Sequence, residues 1–382
     1  MKLRDLLLAI LRVANKARDV ARIIRSEHAL LELLVQEKKG LDKNERFVQD
    51  FKTLADVLIQ QMVSHDIAAE FPAMEGSIFG EESNLFTNTL GETKIIQMCP
   101  EPEQTKQLLL EILDDNKEAA TLLSEVVHRE AADITLSEMQ DNETEIPDTD
   151  VGIWIDPIDS TGQYIRGLFE ELDKEGITDG GLQCVAVLIG AFQKSTGLPV
   201  LGVAVQPFWQ LDPESNQWTA QTTWGICYQN TYIASVTQSE NSNCSKLPTI
   251  LMSTSESETV KQALSTKFQL RFTSGAGYKL LCTAQRRVQA YVLSKSSIYL
   301  WDCCAPHAIL RATGGGVVRF RAALAYVESQ GGGNISLGTL EELEVNYCSS
   351  SSAQIVKSID GIIAYSCPKV LEEVLQVLTN KE

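Results

Sequence analysis

The sequence of 382 residues has few of the side chains that hold zinc or form structural disulfides. Its four histidines lie far apart, and its nine cysteines include no pair separated by two residues. Zinc sites and thiol redox motifs use such closely spaced ligands, and the disulfide frameworks of secreted proteins use an even number of cysteines. We therefore expect reduced thiols in a cytoplasmic protein, with neither a zinc site nor a disulfide framework.

Long hydrophobic runs and a surplus of basic residues are also missing. No apolar run approaches the ~18 residues that a membrane-spanning helix needs. The chain carries 51 acidic and 33 basic residues, which give a net charge of −18. Because nucleic-acid phosphates and anionic lipids repel such a chain, we expect neither a nucleic-acid polymer nor a membrane as a partner.

The first residues resemble a secretory signal only faintly, because the apolar run 6–11 ends at Arg12 and no small-residue cleavage site follows. Apolar residues instead recur at helical spacing, which predicts a helix with one face packed on a core. The residues of this face are Leu3, Leu6, Leu7, Ile10, Ala14, Ala17 and Ala21.

A length of 382 residues is typical of about two domains. We place the boundary in the polar segment 238–245, which gives an N-terminal α+β domain over 1–242 and a C-terminal domain over 243–382. Residues 92–150 are interpreted as an insertion, and its acidic end as a loosely ordered surface loop. Alternating patterns predict an antiparallel sheet in the first domain. Its strands are expected at 182–192, 200–205, 217–228 and 231–236.

The second half alternates strand and helix signals, which is typical of an α/β layer. Its strands are predicted at 249–252, 270–273, 290–293, 298–301 and 361–365. Its helices are predicted after 253–257, after the glycine-rich turn 274–279, and over 302–313 and 369–378. In the first half, helices are predicted at 3–38 (in two segments), 53–63, 105–113 and 117–128.

The chemistry of the chain is most apparent at residues 156–161, Asp-Pro-Ile-Asp-Ser-Thr, which follow an apolar strand predicted at 152–155. Proline lacks an N–H group and fixes φ, so we expect the strand to break there. Asp, Ser and Thr favour a helix start, where free N–H groups suit a phosphate. Clustered carboxylates suit Mg²⁺. The stretch therefore predicts phosphoryl chemistry, and a buried Asp pair that caps a turn is the structural alternative.

Three further acidic positions follow a similar pattern. Asp56 lies in the first turn of a predicted helix, Glu81 and Glu82 follow an apolar segment and a glycine, and Asp302 ends another apolar segment. Each has an ordinary explanation, namely helix capping or a solvated surface. The recurrence of acidic residues at the ends of apolar runs nevertheless favours a shared site, because the sites of α/β proteins gather at strand ends. The positions that recur in this way are Glu81-Glu82, the pair Asp156 and Asp159, and Asp302.

The three motifs together resemble those of the inositol monophosphatase family of Mg²⁺-dependent, lithium-sensitive phosphatases. They are Gly80-Glu81-Glu82-Ser83, the segment 156–161, and Trp301-Asp302-Cys303-Cys304-Ala305-Pro306. The resemblance extends over nearly the whole chain. It implies an α/β fold of layered αβαβα type, with two sheets and a site between domains. Ser160, where the simpler monophosphatases usually carry glycine, and the 92–150 insertion indicate the branch that acts on inositol polyphosphates.

The resemblance also implies which residues act. Two or three Mg²⁺ ions per site would be held by Glu81, Glu82, Asp156, the carbonyl of Ile158, Asp159 and Asp302. The attacking water would be oriented or deprotonated with the help of Asp56, Thr161 and Glu82. Lithium would inhibit by occupying a cation position, with Glu82 a candidate ligand.

Substrate binding would involve both halves of the chain. The implied substrate-binding residues are Asp159, Ser160, Thr161, Ser255, Ser257, Gly275, Ala276, Lys279 and Asp302. Those of the second half would hold ring hydroxyls and a phosphate that is not hydrolysed. Ser257 departs from the pattern, because a basic residue is expected there.

The function implied by the resemblance is removal of the 1-phosphate from inositol 1,4-bisphosphate and inositol 1,3,4-trisphosphate by a cytoplasmic monomer. Hydrolysis of 3′-phosphoadenosine 5′-phosphate is the alternative within the same chemistry. A non-catalytic metal-binding or scaffold protein is the alternative from another class, and the intact set of acidic residues argues against it.

Overall fold

The computed structural model describes residues 1–26, 31, 34–38, 51–130, 132, 134–139, 142–236, 247–330, 337–348 and 358–379. By its internal contacts the chain divides into two units. The first consists of Met1–Phe169, Gly181–Ile189 and Val203–Thr222, and the second of Glu170–Gly180, Gly190–Gly202 and Thr223–Glu382. The predicted boundary between residues 242 and 243 falls outside the described residues and stays a prediction.

The first unit contains helices α1 to α5 and strands β1 to β6. The helices are α1 (Leu3–Ser26), α2 (Leu54–Glu70), α3 (Pro102–Ile112), α4 (Lys117–His128) and α5 (Thr161–Arg166). The strands are β1 (Val35–Glu37), β2 (Phe51–Thr53), β3 (Ile78–Gly80), β4 (Leu85–Thr87), β5 (Thr93–Ile95) and β6 (Val151–Asp159). Three longer strands have residues in both units: β7 (Ala186–Gln193), β8 (Pro199–Leu211) and β9 (Trp218–Tyr228).

The second unit contains the remaining strands and α-helices of the described residues. The strands are β10 (Thr231–Ala234), β11 (Thr249–Met252), β12 (Gln269–Phe272), β13 (Ala290–Leu293), β14 (Gly316–Arg319) and β15 (Ile362–Tyr365). The helices are α6 (Glu258–Ser265), α7 (Ala276–Ala284), α8 (Leu300–Ala312), α9 (Phe320–Ser329), α10 (Leu337–Leu343) and α11 (Pro368–Thr379).

Two sheets organise these elements. The six-stranded sheet has the order β10-β9-β8-β7-β6-β3, and β3 pairs with β6 in parallel so that Gly80 lies opposite Ile155. The five-stranded sheet has the order β12-β11-β13-β15-β14. Within it β11 is parallel to β12 and to β13, whereas β15 is antiparallel to its neighbours. The carboxyl ends of β11, β12 and β13 therefore meet at one edge of that sheet.

The predicted apolar face of the first helix is confirmed. The side chains of this face, from Leu3 to Ala21, are all buried, and α1 packs against α2. No helix in the described parts of the chain is long and apolar enough to cross a membrane.

Two predicted elements differ from the structure, one in each half of the chain. The helical region expected to reach residue 38 gives way to β1, which pairs antiparallel with β2. The strand expected at 298–301 is also wrong, since α8 already begins at Leu300. Ile298 forms only a single bridge with Ile359. The strands predicted at 249–252 and 290–293 coincide with β11 and β13.

The acidic segment 130–150 is more ordered, where it is described, than its composition suggests. Met139 and Ile146 are buried, and the backbone of Glu145 forms an isolated antiparallel β-bridge with that of Lys2. These few apolar anchors fix a segment that is otherwise polar, and a sequence average does not reveal them.

Candidate active site

Strand β6 contains the first four residues of the segment 156–161, and it does not break at Pro157 as expected. The strand runs on to Asp159, and all nine of its residues are buried. The amide of Ile153 donates to Ser77 O at 2.9 Å, so every second amide of β6 faces the β3 side. Pro157 lies on that side, but the β3 ladder has already ended opposite Ile155. The missing N–H of Pro157 therefore costs no ladder bond, and the prediction of a break was wrong.

The end of β6 turns sharply into α5. Ser160 has the left-handed angles φ 72° and ψ 42°, a conformation that favours glycine over other residues. The Thr161 hydroxyl oxygen lies 3.0 Å from Ile158 O and 3.4 Å from Asp56 Oδ1, so its one proton can be donated to either acceptor. The turn thus places the hydroxyl of Thr161, the first residue of α5, next to the carboxylate of Asp56 in the first turn of α2.

Asp56 lies in the first turn of α2, as predicted. Its carboxylate accepts the Thr53 amide at 2.7 Å and the Thr53 hydroxyl at 2.6 Å. Thr53 is the N-cap residue of the helix, so the sequence fixes this carboxylate through a local capping box. Asp56 is fully buried.

Glu81 and Glu82 follow β3 and share a buried lysine. The Lys38 ammonium lies 2.5 Å from a carboxylate oxygen of each. Lys52 lies 3.8 Å from Glu82 and donates to Leu85 O at 2.8 Å. The two glutamates therefore form ion pairs with lysines, and the alternative that they are merely solvated surface residues is wrong.

The side chain of Gln60 fixes the backbone of Glu82. Its carbonyl accepts the Glu82 amide at 2.8 Å, and its own amide donates to the Glu82 carbonyl. A Cβ atom on Gly80 would lie 2.1 Å from Gln60 Oε1, so the glycine of the motif leaves room for this clamp. The two glutamates are thus held in place by a residue of α2.

Burial dominates the electrostatics of the acidic cluster. It raises the pKa of Asp56 to about 6, although the hydrogen bonds from Thr53 oppose the shift. It raises the pKa of Glu82 to about 8 against the attraction of Lys38, and the negative charge of Glu81 adds to the shift. An additional cation near these groups would favour their ionised forms.

The donor set of the first unit fits a hard divalent cation. Four of the predicted metal-binding carboxylates belong to this unit (Glu81, Glu82, Asp156 and Asp159), together with the carbonyl of Ile158. Asp156 and Asp159 are both buried. With Asp56 the set has five carboxylates, and the two ammonium groups of Lys38 and Lys52 leave three excess negative charges when all groups are ionised. Oxygen donors with excess negative charge are what Mg²⁺ requires.

The predicted substrate residues of the second unit lie at one edge of its sheet. Ser255 and Ser257 follow β11, Gly275 and Ala276 follow β12, and Asp302 follows β13. Parallel strands present their carboxyl ends together, where α/β proteins bind ligands. Gly275 has φ 80° and begins α7.

Lys279 is on α7 but its ammonium faces inward. It donates to Gly275 O at 2.6 Å and to Thr273 O at 3.1 Å, and it lies 5.1 Å from the centre of the Tyr291 ring. The side chain is buried. Its contacts within the unit support the turn that precedes α7.

Asp302 is in the first turn of α8 and not at the N-cap. The N-cap residue is Tyr299, whose amide donates to the Asp302 carboxylate at 2.7 Å. Asp302 belongs to the second unit, so its predicted part in the metal cluster stays a prediction. His307, on the same helix, is fully buried, and its Nδ1 lies 2.9 Å from the Tyr347 hydroxyl, so it packs inside the unit.

Sequence reasoning missed Lys38, Lys52 and Gln60 as members of the site. Lys38 follows β1 and Lys52 lies in β2, so the pairing of these short strands brings both ammonium groups to the glutamates. No local pattern marks that pairing. Lys52 and Gln60 were nevertheless near the motif of Asp56, and a lysine four residues before a buried acid was a usable signal.

Comparisons with known proteins agree with this geometry. Residues 102–353 match the model of the inositol monophosphatase family. The chain is 39% identical over 393 aligned residues to inositol polyphosphate 1-phosphatase of Homo sapiens, covering 98% of this chain and 97% of the human one. The Mus musculus enzyme is 42% identical over 334 residues, with 84% of each chain covered.

A solved structure has the same fold. The extragenic suppressor protein suhB from Bartonella henselae matches with a TM-score of 0.52 and 13% identity, covering 99% of this chain and 100% of that one. The α/β fold class predicted from the sequence is thereby confirmed.

Proposed function

The chain belongs to the inositol monophosphatase family and is a phosphatase, and from that premise we propose that it removes the 1-phosphate of inositol 1,4-bisphosphate and inositol 1,3,4-trisphosphate. The relatives that match nearly the whole chain are inositol polyphosphate 1-phosphatases. The coverage of both chains supports a shared substrate class.

The observation that carries the proposal is the contact between Asp56 and Thr161. Asp56 would accept the hydroxyl proton of Thr161, which leaves the Thr161 oxygen free to take a proton from the attacking water. A general base works best with a pKa near the operating pH, and burial moves the pKa of Asp56 to about 6. The left-handed Ser160 forms the turn between β6 and α5, and we propose that the amides of Ser160 and Thr161 hold the scissile phosphate there.

We propose Mg²⁺ as the cofactor, held by Glu81, Asp156, Asp159 and the Ile158 carbonyl in the first unit and by Asp302 in the second. When bound, it supplies positive charge that activates water and stabilises the leaving oxygen. Glu82 would support the cluster, and lithium would compete for one of the cation positions. Lys38 neutralises part of the glutamate charge before any cation binds.

Parallel assays test the substrate assignment. We expect a higher kcat/KM for inositol 1,4-bisphosphate than for 3′-phosphoadenosine 5′-phosphate, with inositol 4-phosphate as the product identified by NMR. A dominant rate on the nucleotide, or release of the 4-phosphate, would contradict the assignment while leaving the phosphatase class intact.

A further inference from the structure

The loop that follows β11 is fixed by one buried carboxylate. Glu256 accepts the amide of Ser257 at 2.7 Å and the amide of Ser294 at 2.9 Å, and it also accepts the Ser294 hydroxyl. Ser294 begins the loop that follows β13. Because β11 and β13 are parallel neighbours, the carboxylate joins two loops at the carboxyl edge of the sheet.

Lys295 is the next residue in that second loop. Its ammonium donates to the carbonyl of Ser255, which is one of the predicted substrate-binding residues. The side chain is exposed, and within the described ranges no carboxylate lies in ion-pair distance of it. An ammonium has three N–H donors, so two remain available after the contact with Ser255.

Two other lysines near the loop are used differently. Lys261 contacts Thr254 O at 2.8 Å, but Glu258 neutralises it at 2.8 Å and its ammonium lies over the Phe272 ring. Lys279 is buried on backbone carbonyls. Of the three, Lys295 has the ammonium that a ligand can reach without breaking an ion pair.

We propose that Lys295 binds the phosphate group of the substrate that is not hydrolysed, in place of the base that is missing at Ser257. The inference rests on the proposed function, since it requires a substrate with a second phosphate. The Glu256 carboxylate accepts the amides of Ser257 and of Ser294, the residue before Lys295, and Lys295 itself contacts Ser255 O. A charge at position 257 or at Lys295 would therefore act on the same pair of loops.

Kinetics with two substrates test this role. Lys295→Met should raise KM for inositol 1,4-bisphosphate by about three- to tenfold, with little change in kcat, because one charge-assisted phosphate contact is lost. The same variant should leave KM for inositol 1-phosphate unchanged, since that substrate has no second phosphate. Lys261→Met is the matched control, because it removes a lysine that contacts the adjacent carbonyl, and it should affect neither substrate.

A second substitution separates charge from structure. Ser257→Lys added to Lys295→Met should recover most of the lost affinity for the bisphosphate if position 257 can supply the same charge. Equal KM effects on both substrates, or no effect on the bisphosphate, would overturn the inference alone. Failure of the unmodified protein to hydrolyse any inositol bisphosphate would overturn the proposed function and the inference with it.

Discussion

At the scale of single residues, the site is built from local capping and from charge burial. The Asp56 carboxylate is held by Thr53 three residues earlier, and Asp302 is held in the same way by the Tyr299 amide. Both arrangements are fixed by sequence-local geometry, and both place an acid in the first turn of a helix. Glu82 differs, because its surroundings come from distant parts of the chain: Lys38, Lys52 and Gln60.

The buried Glu82 predicts a pH dependence of stability in the metal-free protein. Its pKa is about 8 when folded, above the ordinary 4.5 of an unfolded chain. Between these values the folded state binds more protons than the unfolded state, so stability falls as pH rises. We expect Glu82→Gln to flatten this fall between about pH 5 and pH 8, because the glutamine side chain takes up no proton in either state.

Urea unfolding in the presence of a chelator measures this effect. The pH series is compared for the unmodified protein and Glu82→Gln, with free energies of unfolding taken from both. Identical slopes in the two proteins would show that Glu82 is not buried in its charged cluster.

At the scale of elements, helix α8 lies directly on the strands beneath it in the second unit. Cβ atoms added to Gly190, Gly202 and Gly225 would lie 2.4, 2.1 and 2.9 Å from backbone atoms of α8. Three adjacent strands of the larger sheet therefore each contribute a glycine to the surface on which the helix packs. Because α8 also carries Asp302, these glycines set the height of that carboxylate above the sheet.

Gly202→Ala should push α8 away from the strands of the larger sheet. The new methyl group would collide with Ala305 O, and overpacking of this kind costs about 1–3 kcal/mol. We expect a matching loss in the free energy of unfolding and a larger proportional loss of phosphatase activity. Gly162→Ala is the control for stability, since its nearest neighbour would be the Arg166 guanidinium at 3.6 Å. Equal stability of the two variants would refute the close packing.

The sequence predicts elements well where the signal is local and poorly where the structure depends on pairing with a distant strand. Asp56 was identified because a position in the first turn of a predicted helix is a short-range pattern. The continuation of β6 through Pro157 was missed because it depends on where β3 ends, a property of another strand. Lys38 was missed for the same reason, since only the pairing of β1 with β2 brings it to the glutamates.

At the scale of the whole molecule, the net charge affects the approach of the substrate, and the burial of the cysteines affects their reactivity. The net charge of −18 opposes the approach of a phosphate ester, so the local cations of the site must overcome it. None of the eight cysteines in the described residues forms a disulfide, and five of them are buried. Burial raises the pKa of the Cys227 thiol to about 12 and that of Cys282 to about 11.

Thiol titration of the native protein tests this account. We expect rapid reaction with a disulfide reagent to be confined to the partly exposed cysteines, of which Cys99, Cys348 and Cys367 lie in the described residues. The buried thiols should react only on unfolding, because the reactive thiolate is disfavoured there. We also expect the melting temperature to be the same with and without a reductant. A lower melting temperature in reductant would reveal a disulfide.

The most direct measurement is phosphate release from inositol 1,4-bisphosphate as free Mg²⁺ is varied, in the unmodified protein and in Asp156→Asn. We predict release that saturates with Mg²⁺ in the unmodified protein. In the folded variant we predict a loss of activity of about 10²-fold or more, because a ligand carboxylate becomes a neutral amide. Release that needs no Mg²⁺, or a variant of normal activity and normal Mg²⁺ dependence, would contradict the assignment of this acidic cluster as the catalytic centre.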